Sequence, residues 1–146
     1  MRSWGGAALC GAALLVPDTV SAATQRPDSL RFTLVAADSV PRGESVTIEL
    51  RLTNTGDRPV TLYLTGRSIT FDLIVARPDG VVVWRRLEHV ASQQILQVKT
   101  LTPGETLELK HRWQATAVPG DYTLTGVIPT DGHPLRTAPV RLQVTP

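Results

Sequence analysis

Cysteine is nearly absent. The single one, Cys10, lies inside an apolar N-terminal run that reads as a leader. Without it the mature chain has no disulfide and no thiolate metal site. His89 and His133 share no i, i+2 or i+4 spacing with another histidine or with cysteine, and His111 has no partner in the sequence, which speaks against zinc. Aromatic residues make up only 5% of the chain, and charged residues 19%. The formal net charge is +2, with no block of Lys and Arg, so binding of nucleic acid by a basic face is not expected. There is no Gly-x-Ser-x-Gly elbow, no P-loop and no dinucleotide fingerprint, and Ser68 and Ser92 lack a flanking nucleophile pattern. No cofactor is implied. No window of ten or more residues keeps a helical stripe, and no repeat has a fixed period.

What is present begins with the leader. Met1-Arg2-Ser3 carries one positive charge, Trp4 to Val16 is almost wholly apolar or small, and Val20-Ser21-Ala22 is small where a signal peptidase reads. This is the three-part plan of a secretory signal peptide covering residues 1–22, with cleavage expected after Ala22 or Ala23. The apolar run is too short to remain as a membrane span. Leu9 precedes Cys10 and the run continues beyond it, which is not a lipoprotein site. The expected location is outside the cytoplasm, periplasmic or secreted. Residues 23–29 form a polar linker, and residues 30–146 read as one domain, large enough to bury a real core.

From Leu30 onward the period is two. Leu30, Phe32 and Leu34 alternate with Arg31 and Thr33; Val46, Ile48, Leu50 and Leu52 with Thr47, Glu49 and Arg51. Val60, Leu62 and Leu64 form another face, as do Ile69, Phe71, Leu73 and Val75 with Asp72 opposite. Leu107, Leu109, His111 and Trp113 oppose Glu108, Lys110 and Arg112; Tyr122 and Leu124 alternate with threonines; Val140, Leu142 and Val144 close the chain. Each run predicts a strand with one wet and one buried face. Turn residues at Pro41-Arg42-Gly43, Asn54-Thr55-Gly56-Asp57, Arg77-Pro78-Asp79-Gly80, Pro103-Gly104 and Pro119-Gly120-Asp121 separate them. The expected fold is an all-β antiparallel sandwich with Greek-key links and about seven to nine strands. Val81-Val82-Val83-Trp84 is continuously apolar and reads as a central strand covered on both sides. Leu87 to Leu96 is open between loop and short strand, and Pro129 to Pro139, with three prolines, is the most loop-like part.

A set of marks in fixed order adds to this. Gly66-Arg67-Ser68-Ile69-Thr70-Phe71-Asp72-Leu73, Asp79-Gly80, Val83-Trp84-Arg85, Gln93-Gln94-Ile95-Leu96, Leu101-Thr102-Pro103-Gly104-Glu105, Trp113 and Pro119-Gly120-Asp121-Tyr122 together resemble the bacterial BsuPI family of intracellular proteinase inhibitors. The resemblance implies an Ig-like sandwich and protease inhibition by non-catalytic protein binding. The segment after Trp84, Arg85-Arg86-Leu87-Glu88-His89, departs from the family pattern, where a Ser or a second aromatic is expected.

Three function classes follow. The first is inhibition of a serine protease. A loop held in an extended shape binds a protease cleft, and rigidity lowers the ordering cost. The candidate contact loop is Thr130, Asp131, Gly132, His133, Pro134, Leu135 and Arg136, with Leu135 expected to enter the specificity pocket. An ordinary long hairpin loop is the plain alternative. The second class is a cell-envelope module that binds another envelope protein without inhibiting it. The third is a carbohydrate-binding sandwich, which requires an exposed aromatic row, whereas Trp84 and Trp113 sit at core parity. His111 reads as a packed histidine, and Asp72 either anchors a neighbouring loop or is simply solvated. Nothing points to an enzyme.

Overall fold

The computed structural model describes residues 29–91 and 94–146. The expected leader, most of the linker, and Ser92 and Gln93 lie outside the described residues. Within them every regular element is a strand: β1 (Leu30–Val35), β2 (Ser39–Pro41), β3 (Ser45–Asn54), β4 (Val60–Thr65), β5 (Asp72–Ala76), β6 (Val82–Arg85), β7 (Leu96–Leu101), β8 (Thr106–Gln114), β9 (Gly120–Ile128), β10 (Leu135–Arg136) and β11 (Val140–Thr145). The fold class is all-β and Ig-like. The eleven strands exceed the expected seven to nine because short pieces such as β2 and β10 carry too few residues to show a period.

One sheet has the order β1-β3-β8 and the other β2-β11-β9-β5-β6, with β10 folded back on β9. The pairings are antiparallel apart from β2, which runs parallel to β11. Ile48, Leu50 and Leu52 from β3 and Leu73, Val75, Leu124 and Leu142 from the opposing sheet are fully buried and form the core between the layers. The alternation read in β3 and β11 is the observed burial pattern, because each has one face on that core.

Two local devices tie the layers. A Cβ built on Gly126 of β9 would lie 2.3 Å from Leu50 Cδ2 and 3.1 Å from Leu50 Cδ1, so the sheets approach there only because the residue has no side chain. At the start of β9 the buried Tyr122 donates its hydroxyl hydrogen to the carbonyl of Val118, four residues upstream. This is the tyrosine corner of Ig-type sandwiches.

The β3–β8 ladder does not stop at Thr53–Thr106. Asn54 N–H donates to Glu105 O and Gly104 N–H donates to Asn54 O, and the pairing resumes as β4–β7 from Val60–Leu101. The two-stranded β4–β7 sheet is thus an arm that continues the ladder after a bend.

Val81–Trp84 corrects an expectation. β6 is the outer strand of its sheet and pairs only with β5, and Val81, Val82 and Val83 are exposed. The valine run follows strand propensity, not two-sided burial.

Candidate protein-contact hairpin and its cleft

In an antiparallel sandwich the ends of alternate strands gather at one pole. Here β3 and β9 both finish at the same pole, so the segment after Asn54 and the hairpin after Ile128 face one another. In variable Ig domains the corresponding connections form the binding end.

The hairpin is braced throughout. Leu135 and Arg136 pair with Ile128 and Val127, Thr137 N–H donates to Gly126 O at 2.9 Å, and Gly126 N–H donates to Thr137 Oγ1 at 3.0 Å. Thr130 Oγ1 donates to His133 O at 2.7 Å, which closes the apex. Asp131 N–H donates to Tyr63 O at 3.3 Å and fixes the hairpin against β4. Asp131, Gly132, His133 and Pro134 are exposed, and the Pro134 ring restricts the backbone at the tip. Of the seven predicted contact residues, these four form the projecting apex. Thr130 supports them, and Leu135 and Arg136 form β10. Leu135 is half-buried against the core, whereas His133 is exposed at the tip.

The facing wall depends on a residue that the sequence marks only as part of a turn. Asn54 is fully buried, and its Nδ2 donates to Arg58 O at 2.7 Å and to Leu101 O at 2.9 Å. Its Oδ1 accepts from Gly56 N–H at 2.9 Å. One amide therefore holds the 55–59 segment and the end of β7 together. Between the two walls lies an open cleft of 970 Å³, whose lining includes Leu30, Phe32, Pro59, Val60 and Tyr63 beside the hairpin. Asp57, Arg58, Asp131 and Arg136 also line it, and among the described residues none of these four is in a salt bridge. The lining thus combines apolar side chains with charged ones.

A second polar cluster braces the opposite layer. Asp72 is buried, against its parity in the sequence. Its Oδ2 accepts from Arg85 Nε and Nη2, and its Oδ1 accepts from the N–H of Leu73 and of Leu87. Of the two roles read for Asp72, anchoring is the observed one. Arg86 Nη1 donates to Phe71 O at 2.6 Å, with its guanidinium 4.0 Å from the centre of the Phe71 ring. The two arginines that depart from the family pattern are thus the clasp between β5 and the turn after β6. Nearby, Trp84 stacks on His111 at 5.9 Å and tilts against Trp113 at 5.8 Å. Burial holds the His111 imidazole below its usual pKa, and the Arg86 charge pushes the same way. His111 is a packed residue, His89 is exposed in a turn and His133 is at the hairpin apex, so the three do not converge. Trp113 and Tyr122 are buried in the core and offer no aromatic platform.

Gln97 was also illegible as a positioning residue. Its Nε2 donates to the carbonyls of Gly66 and Arg67, which lie in the turn after β4 some thirty residues earlier, and no local pattern encodes that pairing.

Comparison with known proteins gives the family and the fold. Residues 24–132 match the model of the BsuPI family, described as intracellular proteinase inhibitor. Among curated protein sequences none matches the chain. Among solved structures, the C-terminal domain of Wzt is 11% identical with a TM-score of 0.51, over 81% of this chain and 74% of that one. The CARDB domain of a Pyrococcus furiosus protein is 15% identical with a TM-score of 0.48, over 80% and 87%. A β-glucosidase from Erythrobacter marinus is 13% identical with a TM-score of 0.47 over 80% of this chain, which spans only 15% of the enzyme's length. Of these likenesses only that to the Wzt domain bears on the fold, and on the fold alone. The sequence match covers most of the chain and ends at the hairpin apex, and on it the chain belongs to the BsuPI family.

Proposed function

We propose that this chain is an exported inhibitor that blocks a serine protease by non-catalytic docking of the Asp131–Pro134 apex in the enzyme's cleft. The observation that carries the reading is the hairpin: an exposed, proline-bearing tip held from its base by β10–β9 pairing and from its side by the Asp131–Tyr63 hydrogen bond. A tip that is already ordered loses little conformational freedom on binding. Standard inhibitor complexes bury about 1,600 Å² in total, and the apex alone is too small for that. The 55–59 segment across the cleft supplies the rest of the footprint. In this reading His133 is the side chain that enters the specificity pocket, because Gly132 and Pro134 flank it and Leu135 is occupied in the core.

The test is a panel of subtilisin-like and trypsin-like proteases titrated with the mature protein. Slowing in proportion to added protein, weakened by His133→Ala, supports the reading. If no protease is slowed and the protein is itself left uncut, inhibition is ruled out. Export is tested separately: N-terminal sequencing of protein from the envelope or medium should begin at Ala23 or Thr24, and recovery only from cytoplasm with Met1 retained would defeat it.

A further inference from the structure

Every open sheet edge offers unpaired N–H and C=O groups to another chain, and folds guard such edges. β2 is three residues long and ends in Pro41. β6 is bulged against β5 between Val75 and Ala76. β8 carries Glu108, Lys110 and Arg112 on its wet face, and β1 carries the exposed Arg31. The free side of β4 is met by the hairpin through Asp131. β7 is guarded least among the described edges. It contains no proline and its ladder has no register shift. Its one guard is an inward charge, Lys99, and Glu105 at 3.0 Å already neutralises it.

The direction of its backbone follows from two bonds. Tyr63 O faces away from β7, since it accepts from Asp131, whereas Gly66 N–H reaches Ile95 O across the β4–β7 ladder. In an antiparallel pair these directions alternate. Gln97, Lys99 and Leu101 therefore bond to β4, and the N–H and C=O of Leu96, Val98 and Thr100 point away from it, where no described strand pairs with them. The same residues carry the outer face: Leu96 is 63% and Val98 61% exposed, and Tyr63, opposite Val98, is 48% exposed. β7 is thus largely inverted: Leu96 and Val98 point outward and Gln97 and Lys99 inward, and only Thr100 and Leu101 keep the ordinary order.

We propose that a second copy of this chain covers this edge, two β7 strands pairing antiparallel about a two-fold axis at Val98. Such an interface is self-complementary. Val98 meets its own copy and Leu96 meets Thr100 on the outer face, while Gln97 meets Lys99 on the inner. No two like charges are opposed, the Lys99 charge is held by Glu105, and a net charge of +2 gives little long-range repulsion. Stable dimers bury about 800 Å² per partner, more than a six-residue edge with three apolar side chains provides. The pair is therefore a weak, concentration-dependent dimer with both hairpins free. This inference does not depend on protease binding.

The test is amide exchange by NMR at low and high protein concentration, with sedimentation velocity over the same range. Amides of Leu96, Val98 and Thr100 should exchange fast when dilute and several-fold more slowly when concentrated. Those of Gln97 and Lys99 should be slow throughout, and the sedimentation coefficient should rise with concentration. Val98→Lys should abolish the rise with its circular dichroism unchanged. Concentration-independent exchange at Leu96, Val98 and Thr100, or a Val98→Lys protein that associates like the parent, would overturn the proposal. Were Val98→Lys to misfold, the alternating exchange pattern of the unmodified protein decides alone.

Discussion

Asp72 Oδ2 lies 2.5 Å from Arg85 Nη2, yet the two side chains live in different surroundings: that of Asp72 is 3% exposed and that of Arg85 50%. The pair is therefore asymmetric in what its loss costs. Asp72→Ala strips acceptors from the buried N–H groups of Leu73 and Leu87 as well as from Arg85, and about 2–3 kcal/mol of stability should go with them. Arg85→Met leaves Asp72 its two backbone donors, and solvent already screens the guanidinium, so a loss of about 1 kcal/mol or less is expected. Urea denaturation of both variants checks this; equal losses would mean that the carboxylate does not act as the anchor of the 85–87 segment.

Asn54→Ala removes three hydrogen bonds at one buried amide. A loss of about 2–3 kcal/mol is expected, with Gly56 the amide whose exchange accelerates most. The same variant should weaken protease inhibition although it touches no partner, because the 55–59 wall is no longer held. Unchanged exchange at Gly56 would refute the positioning role.

Gly126→Ala drives a methyl group into Leu50. Overpacking of this kind costs about 1–3 kcal/mol. Leu50→Ala alone costs about 2–5 kcal/mol through the cavity it leaves. Together they should cost less than the sum, since the smaller side chain makes room for the new methyl. Additive losses in thermal unfolding would show that the two sheets do not touch at that point.

His111 sets a pH dependence. Burial, with Arg86 beside it, lowers its folded pKa below the unfolded value near 6.5. The unfolded chain then binds the extra proton first, so the stability contributed by neutral His111 is complete above that value. It falls away as pH drops toward the depressed folded pKa. The facing groups are Arg86, Trp84 and Trp113, none of which titrates in this window. Denaturation midpoints measured from pH 7.5 downward should fall, and His111→Phe should flatten the decline; an identical decline in that variant would assign it to other groups.

Pro134→Gly loosens the hairpin tip without removing a contact. The added freedom must be lost on binding, at about 1 kcal/mol, and the inhibition constant should rise about fivefold, with a small fall in melting temperature from the freer unfolded chain. An unaltered constant would place the contact elsewhere.

The sandwich was legible because β3, β8 and β11 each keep one wet face, and period two follows directly. Parity failed where a partner lies far along the chain. Asp72 is drawn inward by Arg85, thirteen residues on. The valines of β6 mislead for a related reason: composition reports a preference for extended backbone but not which side of a strand has a neighbour, and β7, without an apolar alternation facing the core, is not legible as a strand. The hairpin was located by its prolines and glycine. That Leu135 belongs to the core and His133 to the surface depends on β10 returning to β9, a pairing only two residues long.

The tyrosine corner has one more consequence. In antibody domains the residue two positions after that tyrosine is half of the bond that rivets the sheets; here it is Leu124, fully buried. A leucine needs neither an oxidase to close it nor an isomerase to correct it, and dithiothreitol or glutathione leaves it untouched. Such a core assembles alike in the reducing interior of a cell and in the oxidising space outside, so carriage from one to the other alters nothing on which its packing rests.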